Sequence, residues 1–154
     1  MIYMLQIRSK LEQSAVVWHS GLTLKAKNDL ERVQKSALRL ILREKYSSYK
    51  DALDVIGIDS LEKRREKLCL KFAKACLRNE KLSDMFPKNK KSHIMSMRQD
   101  EKFLIRKART ERLQKSAIIY MQRLLNNEEY EKRKTMSKIK SIVPVNYDCL
   151  KSYH

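Results

Sequence analysis

The chain contains very few residues that interrupt helices, and this scarcity restricts its fold more than any other feature of the sequence. Its 154 residues include only two glycines, Gly21 and Gly57, and two prolines, Pro87 and Pro144. Folds rich in sheet need many tight turns, which depend on glycine and proline, whereas helix interiors exclude both residues. The segments between these breakers are rich in leucine, lysine, arginine, glutamate and alanine, which favour helix. The sequence therefore predicts an all-α protein.

Two helices are predicted near the N-terminus from apolar residues that recur at helical spacing. The first covers residues 2–17, and the second covers residues 24–42 with Thr23 as its N-cap. The apolar face of the first helix consists of Met4, Ile7, Leu11, Ala15 and Trp18. The buried face of the second helix consists of Leu30, Val33, Ala37, Leu38 and Ile41. We interpret Trp18 as a core anchor, and the alternative is an aromatic platform for a nucleic-acid base.

Two further helices are predicted together with their caps. Residues 49–56 form the third helix, in which Ser48 and Asp51 are spaced as in a capping box and Gly57 supplies a left-handed stop. Residues 60–78 form the fourth helix, headed by Asp59 and Glu62 in a similar arrangement. The inner face of this helix consists of Leu61, Leu68, Phe72 and Cys76.

The domain organisation follows from where helical periodicity stops and resumes. We expect a helical core over residues 1–82 with Trp18 as its anchor, and a basic linker over residues 83–100. A weaker helical part covers residues 101–142, and residues 143–154 form a loose tail. The prediction is an irregular bundle of five or six helices, packed around the apolar faces of the first four. The segment 31–37 recurs with one change as 111–117, and we interpret both copies as the beginnings of helices.

The charge of the chain indicates a polyanionic partner. Thirty-five lysines and arginines against 18 acidic residues give a formal net charge of +17, which favours nucleic acid first and an anionic membrane surface second. No apolar run approaches the roughly 18 residues needed to span a bilayer, and Arg8 and Lys10 interrupt the apolar N-terminus before a signal-peptide core forms. We therefore expect a soluble intracellular protein, nuclear or cytoplasmic, without a membrane partner.

Two stripes of basic residues are the candidate binding sites. The first stripe, on the second predicted helix, consists of Arg32, Lys35, Arg39 and Arg43. The second stripe, on the fourth predicted helix, consists of Lys63, Lys67, Lys71, Lys74 and Arg78. Cations along one helix face can follow a phosphate backbone, and counterion release then gives affinity without sequence preference. The alternative is that both stripes are the solvated faces of amphipathic helices.

The sequence shows no constellation of residues suited to catalysis. The histidines, His19, His93 and His154, are far apart and belong to no cluster with metal-ligand spacing. The glycines form no phosphate-binding loop. The three cysteines, an odd number, do not suggest a disulfide framework, and we expect Cys69 and Cys76 to be small core residues on one helix face. We predict no catalytic residue, no metal, no cofactor and no small-molecule substrate.

Four sequence blocks resemble one region of a known family. These blocks are residues 7–19, 30–39, 62–73 and 110–117, of which the first two, Ile-Arg-Ser-Lys-Leu-Glu-Gln-Ser-Ala-Val-Val-Trp-His and Leu-Glu-Arg-Val-Gln-Lys-Ser-Ala-Leu-Arg, are the more specific. They resemble the region that follows the thumb of jockey-like non-LTR retrotransposon reverse transcriptases, with coverage from about residue 7 to residue 126. In that family the endonuclease and the palm, with its aromatic-x-Asp-Asp signature, lie upstream. This chain contains no such Asp pair.

The resemblance implies a truncated, helical accessory segment of an RNA-directed DNA polymerase that is inactive by itself. Its expected role is to bind the backbone of RNA or DNA, and the upstream reverse transcriptase core is a second expected partner. Two alternatives remain: a helical interaction module that docks on an upstream polymerase fragment, or a translated relic without a selected role. The sequence does not distinguish RNA from DNA as the ligand.

Overall fold

A computed structural model of the chain describes residues 2–88 and 102–142. Within these two ranges the chain is helical and contains no strand, and an isolated antiparallel bridge joins Lys88 to Phe103. The prediction of an all-α bundle is confirmed. The predicted tail, residues 143–154, lies outside the described residues, as does most of the predicted basic linker.

The predicted first helix is broken into short pieces. A π-helical segment, Tyr3–Arg8, continues into α1, Ser9–Glu12, and α2, Ala15–Trp18, is followed by a 3-10 turn, His19–Gly21. The prediction of one helix over residues 2–17 is therefore wrong, because Ser14 takes a left-handed backbone with φ 52° between α1 and α2. In a π-helix the residues i and i+5 share a side. Tyr3 and Arg8 are therefore the buried residues of the first segment, whereas Ile7, predicted to be apolar core, is exposed.

The next three helices have the predicted bounds to within one residue. They are α3, Leu24–Leu42, α4, Tyr49–Ile56, and α5, Leu61–Arg78. Thr23 caps α3 by accepting the Ala26 N–H at 3.3 Å, and Ser48 caps α4 by accepting the Asp51 N–H at 3.2 Å. The cap of α5 is Ser60, which accepts the Lys63 N–H. Local polar side chains therefore fix where these helices begin.

The buried faces of α3 and α5 differ from the predicted ones. Val33 (44% exposed) and Ile41 (53%) were predicted to be buried in α3, and Phe72 (44%) in α5. The observed buried residues are Gln34 and Leu38 in α3, and Leu61, Arg65, Cys69, Ala73 and Cys76 in α5. The reason is that polar residues, Gln34 and Arg65, occupy the centre of each buried face, and apolar periodicity does not count them.

The main hydrophobic cluster lies between α5 and the C-terminal helix. Beyond α6, Glu80–Ser83, the described chain continues with α7, Glu111–Gln114, and α8, Ala117–Ile142. The cluster consists of Cys69, Ala73, Cys76, Phe86, Phe103, Met121 and Leu125. The prediction that the first four helices form the core is therefore incomplete, because α8 supplies part of it. The prediction that Cys69 and Cys76 are buried core residues is confirmed.

The first part of the predicted linker and the segment that follows the linker both contribute to this cluster. Phe86 and Phe103 are each 2% exposed. Asn126 of α8 holds the second of these segments, since its side chain accepts the Phe103 N–H at 3.0 Å and donates to the Phe103 carbonyl at 3.1 Å. The helical part after the linker is thereby attached to α5 through shared apolar packing.

The left-handed stop at the end of α4 leads to a stability prediction. Gly57 has φ +70°, whereas the backbone of Gly21 is not left-handed, and a Cβ added at either position meets no other atom within 4 Å in the described part of the chain. Only backbone conformation therefore distinguishes the two sites. We expect Gly57→Ala to lower the free energy of unfolding by about 1 kcal/mol and Gly21→Ala to raise it by about 0.5 kcal/mol. Urea titration followed by circular dichroism measures both, and equal effects would contradict this account.

Candidate nucleic-acid interface

The two predicted stripes lie on α3 and α5 and are named the α3 stripe and the α5 stripe. Three of the four residues of the α3 stripe lie on the exposed side of their helix. Arg32, Lys35 and Arg39 are exposed and recur at helical spacing. Arg43 is also exposed, but it lies just beyond the end of α3 and begins a 3-10 turn, Arg43–Lys45, with φ 47°. The structure therefore brings together the four predicted residues, with a bend in the backbone before the last one.

Two tyrosines lie against the α3 stripe, and the sequence pattern did not assign them to it. The Nζ atom of Lys35 is 5.0 Å from the centroid of the Tyr49 ring, and Arg39 Cζ is 5.3 Å from the centroid of the Tyr46 ring. These distances are within the range of cation–π contacts. In the sequence, Tyr46 and Tyr49 lie close to Arg43, but nothing there indicates which cation each ring contacts.

The α5 stripe covers the side of α5 that faces away from the hydrophobic cluster. Lys63, Lys67, Lys71 and Arg78 are exposed, and Lys74 is half-buried. Two of these cations have acidic partners: Lys67 lies 2.5 Å from Asp59, and Lys74 lies 2.6 Å from Glu128 of α8. The five cations form a continuous stripe along α5. Because two of them are paired with acids, the five charges are not equally available to a ligand.

Among the described residues, most of the nine candidate cations have no acidic partner. Arg32 pairs with Asp29 at 3.4 Å, in addition to the two pairs on α5. In the ranges 2–88 and 102–142, no acidic oxygen lies within 4.0 Å of the other six, which are Lys35, Arg39, Arg43, Lys63, Lys71 and Arg78. Exposed pairs are weak, so Arg32 and Lys67, whose pairs are exposed, can exchange an acid for a phosphate at little cost.

A surface depression of about 390 Å³ lies beside the α5 stripe. It is lined by Asp59, Lys63, Glu66, Lys67, Leu70 and Leu124. Two acids and two lysines share this lining, so their charges cancel, and the depression itself offers no concentrated positive charge to an anionic ligand. The exposed ridge of cations is therefore the better candidate site.

Beneath the surface, a polar network joins α2, α5 and α8. Arg65 is fully buried, its Nε donates to His19 Nδ1 at 3.2 Å, and its guanidinium carbon lies 5.8 Å from the Trp18 ring. His19 Nε2 lies 3.2 Å from the hydroxyl of Tyr120, which is 3.5 Å from Glu66. Burial, with the neighbouring charge of Arg65, lowers the pKa of His19 from 6.5 to about 4.

Trp18 covers a charged group and not only apolar side chains. Its indole N–H donates to the Gln13 carbonyl at 2.8 Å, and the half-buried ring lies over Arg65. The ring therefore shields a buried cation from water. Nothing in the sequence pattern marks Arg65 as buried, because it is one of several basic residues along α5.

Glu31 links α3 to α4 and α5. Its carboxylate accepts a hydrogen bond from the Tyr49 hydroxyl and another, at 2.8 Å, from the Glu62 N–H in the first turn of α5. Burial, followed by the hydrogen bond to Glu31, raises the pKa of Tyr49. Glu31 therefore positions Tyr49 beneath Lys35 and supplies negative charge at the helix N-terminus.

The counterpart of Glu31 in the repeated segment provides a matched comparison. Glu111 is exposed, and its carboxylate pairs only with the nearby Lys115 in the part of the chain that the structure describes. We expect Glu31→Ala to lower the free energy of unfolding by about 2 kcal/mol, because two partly buried donors lose their acceptor. Glu111→Ala should cost less than about 0.5 kcal/mol. Chemical denaturation measures both variants, and a cost for Glu111→Ala as large as that for Glu31→Ala would refute the role assigned to Glu31.

The described residues contain no group of three or more histidine, cysteine or acidic side chains placed to hold a metal ion. In the same part of the chain, no helix has both the length and the apolar character that crossing a bilayer requires. Comparison with protein-family models, curated proteins and solved structures gives no match to this chain. The function proposed for the site therefore rests on the chemistry of its residues.

Proposed function

We propose that the chain binds the backbone of RNA or DNA through the α3 and α5 stripes and carries out no catalysis. The observation that supports this most directly is the set of six exposed stripe cations without an acidic partner among the described residues. The formal net charge of +17 adds a long-range attraction to the same ligand. The role suits an accessory segment such as the reverse transcriptase region that the sequence resembles.

The dimensions of the α5 stripe fit an extended polyanion. From Lys63 to Arg78 the helix rises about 22 Å at 1.5 Å per residue. Over that length a duplex carries about thirteen phosphate charges, at roughly one charge per 1.7 Å of axis. A small anion engages only one or two of the stripe's cations, so a nucleic-acid strand makes fuller use of this surface.

The salt dependence of binding tests the proposal. If about five phosphates are engaged, the slope of log K against log salt for duplex DNA is about −4.5. Fluorescence anisotropy with labelled oligonucleotides, between low and physiological salt, gives this slope. A flat salt response, or no binding to duplex or single strands at low salt, is incompatible with backbone binding. A primer-extension assay checks the second half of the proposal, and incorporation above background would overturn it.

A second candidate function is docking on a protein, such as an upstream reverse transcriptase core. It is favoured by apolar side chains that α3 leaves exposed, with Leu40 77% exposed and Ile41 and Val33 about half exposed. In this case Leu40→Glu weakens a complex with the separately expressed polymerase core in size-exclusion chromatography. Leu24→Glu, at a position 74% exposed on the first turn of α3, is the matched control.

A further inference from the structure

The segment that joins α3 to α4, together with Tyr49 at the start of α4, places aromatic rings against one of the two basic stripes. Lys35 and Arg39 are separated by four residues, so their contacts with Tyr49 and Tyr46 lie next to each other along the exposed side of α3. Among the described residues, in contrast, no aromatic ring lies within cation–π distance of the five cations of the α5 stripe. The two stripes therefore offer different chemistry to a nucleic acid.

Hydrogen bonds hold this aromatic segment in place. The hydroxyl of Tyr49 donates to Glu31, and the Tyr46 N–H donates to the Arg43 carbonyl at 3.1 Å. The hydroxyls of Ser47 and Ser48 donate to Asp51 at 2.9 and 2.7 Å. Tyr46 and Tyr49 are each only partly buried. The surface is thus arranged before a ligand arrives, which lowers the entropic cost of binding.

We propose that this surface binds single-stranded nucleic acid, with unpaired bases stacking on Tyr46 and Tyr49 while Lys35, Arg39 and Arg43 contact the phosphates. The inference rests on the proposed function and adds a preference for single strands at the α3 stripe. In a duplex the faces of the bases are covered by their neighbours, so a tyrosine ring has no base to stack on. In a single strand every base has a free face, and stacking on it is tolerant of sequence.

Binding of a labelled 12-nucleotide single strand and of a hairpin duplex with the same number of phosphates, at one salt concentration, tests the inference. We expect Tyr46→Leu to lower affinity for the single strand about tenfold, because the variant has no ring on which a base can stack, and to leave duplex affinity unchanged. Tyr46→Phe should retain single-strand affinity because it keeps the ring. Tyr130→Leu, at a tyrosine 55% exposed on α8, is the control and should change neither affinity.

A spectroscopic variant makes the test independent of whether Tyr46→Leu folds. The chain has one tryptophan, Trp18, so in Tyr46→Trp the added emission is obtained by subtraction of the unmodified protein. We expect the single strand, and not the duplex, to quench this emission. Absence of quenching, or equal effects of Tyr46→Leu on both ligands, would overturn the single-strand inference. If the unmodified chain binds neither ligand at low salt, the proposed function itself fails.

Discussion

Replacement of Lys63, Lys71 and Arg78 by glutamate is expected to lower affinity for duplex DNA by at least a hundredfold at 0.1 M salt. These three residues are exposed and have no acidic partner in the described part of the chain, so they are the cations of the α5 stripe most available to phosphate. Each phosphate that the variant no longer binds reduces the magnitude of the salt slope by about 0.9. A slope of about −4.5 should therefore change to about −1.8, and anisotropy titrations over a range of salt concentrations measure both quantities.

A second triple variant distinguishes the contribution of the α5 stripe to affinity from that of the net charge. Lys10, Lys81 and Lys107 are exposed and lie outside both stripes, and their replacement by glutamate changes the total charge by the same amount. We expect this control to weaken binding only slightly, because long-range attraction decreases. If the two triple variants weaken binding equally, the α5 stripe is not the contact surface, and only the overall charge matters.

Helix bounds were predictable because the residues that set them are close in sequence. Thr23 and Ser48 accept the N–H groups three residues further on, and Gly57 takes the left-handed conformation that ends α4. A side chain that caps a helix three residues away does not depend on the rest of the fold. The prediction for the first segment failed for the opposite reason, since Tyr3 and Arg8, the buried residues of its π-helical part, form hydrogen bonds with Gln34 and the Asp59 carbonyl, which are distant in sequence.

Burial was harder to predict, and the repeated segment shows why. The copies at 31–37 and 111–117 differ at one position, and the prediction that both begin helices is wrong for the first copy and correct for the second. The first lies in the middle of α3, and the second forms the one-turn α7 and the start of α8. Gln34 is fully buried and bonds Tyr3 and the Asp59 carbonyl, whereas Gln114 is exposed. Nearly identical local sequences therefore lie in different environments, because contacts with residues distant in sequence determine which side chains are buried.

The candidate site was predictable to an intermediate degree. Lysine and arginine on the outer side of an amphipathic helix are exposed by default, and the nine predicted cations follow this rule apart from the half-buried Lys74. The acidic partner of Lys74 was not predictable, since Lys74 and Glu128 are 54 residues apart in sequence. The sequence places Tyr46 and Tyr49 close to Arg43, but only the structure shows that their rings contact Arg39 and Lys35.

The buried network around His19 leads to the second prediction with a large effect, a loss of stability in mild acid. The Nε of Arg65 donates to His19 Nδ1, so this nitrogen must be unprotonated, and Nε2 carries the proton toward Tyr120. Protonation of Nδ1 would direct two donors at each other. Burial and the charge of Arg65 accordingly lower the pKa of His19 from 6.5 to about 4. The unfolded chain therefore takes up a proton at a higher pH than the folded chain does.

The stability contributed by neutral His19 is complete above pH 6.5 and is lost as pH falls from 6.5 to about 4. The full loss is about 3 kcal/mol, of which about 2 kcal/mol should appear between pH 7.5 and pH 5. That narrower interval is the informative one, because carboxylates with lowered pKa, such as Glu62 and Glu128, lose their contribution only at lower pH. Urea unfolding at pH 7.5 and 5 measures the difference. His19→Asn lowers stability at both pH values but should remove most of the difference between them, and an unchanged difference would show that other groups cause the acid sensitivity.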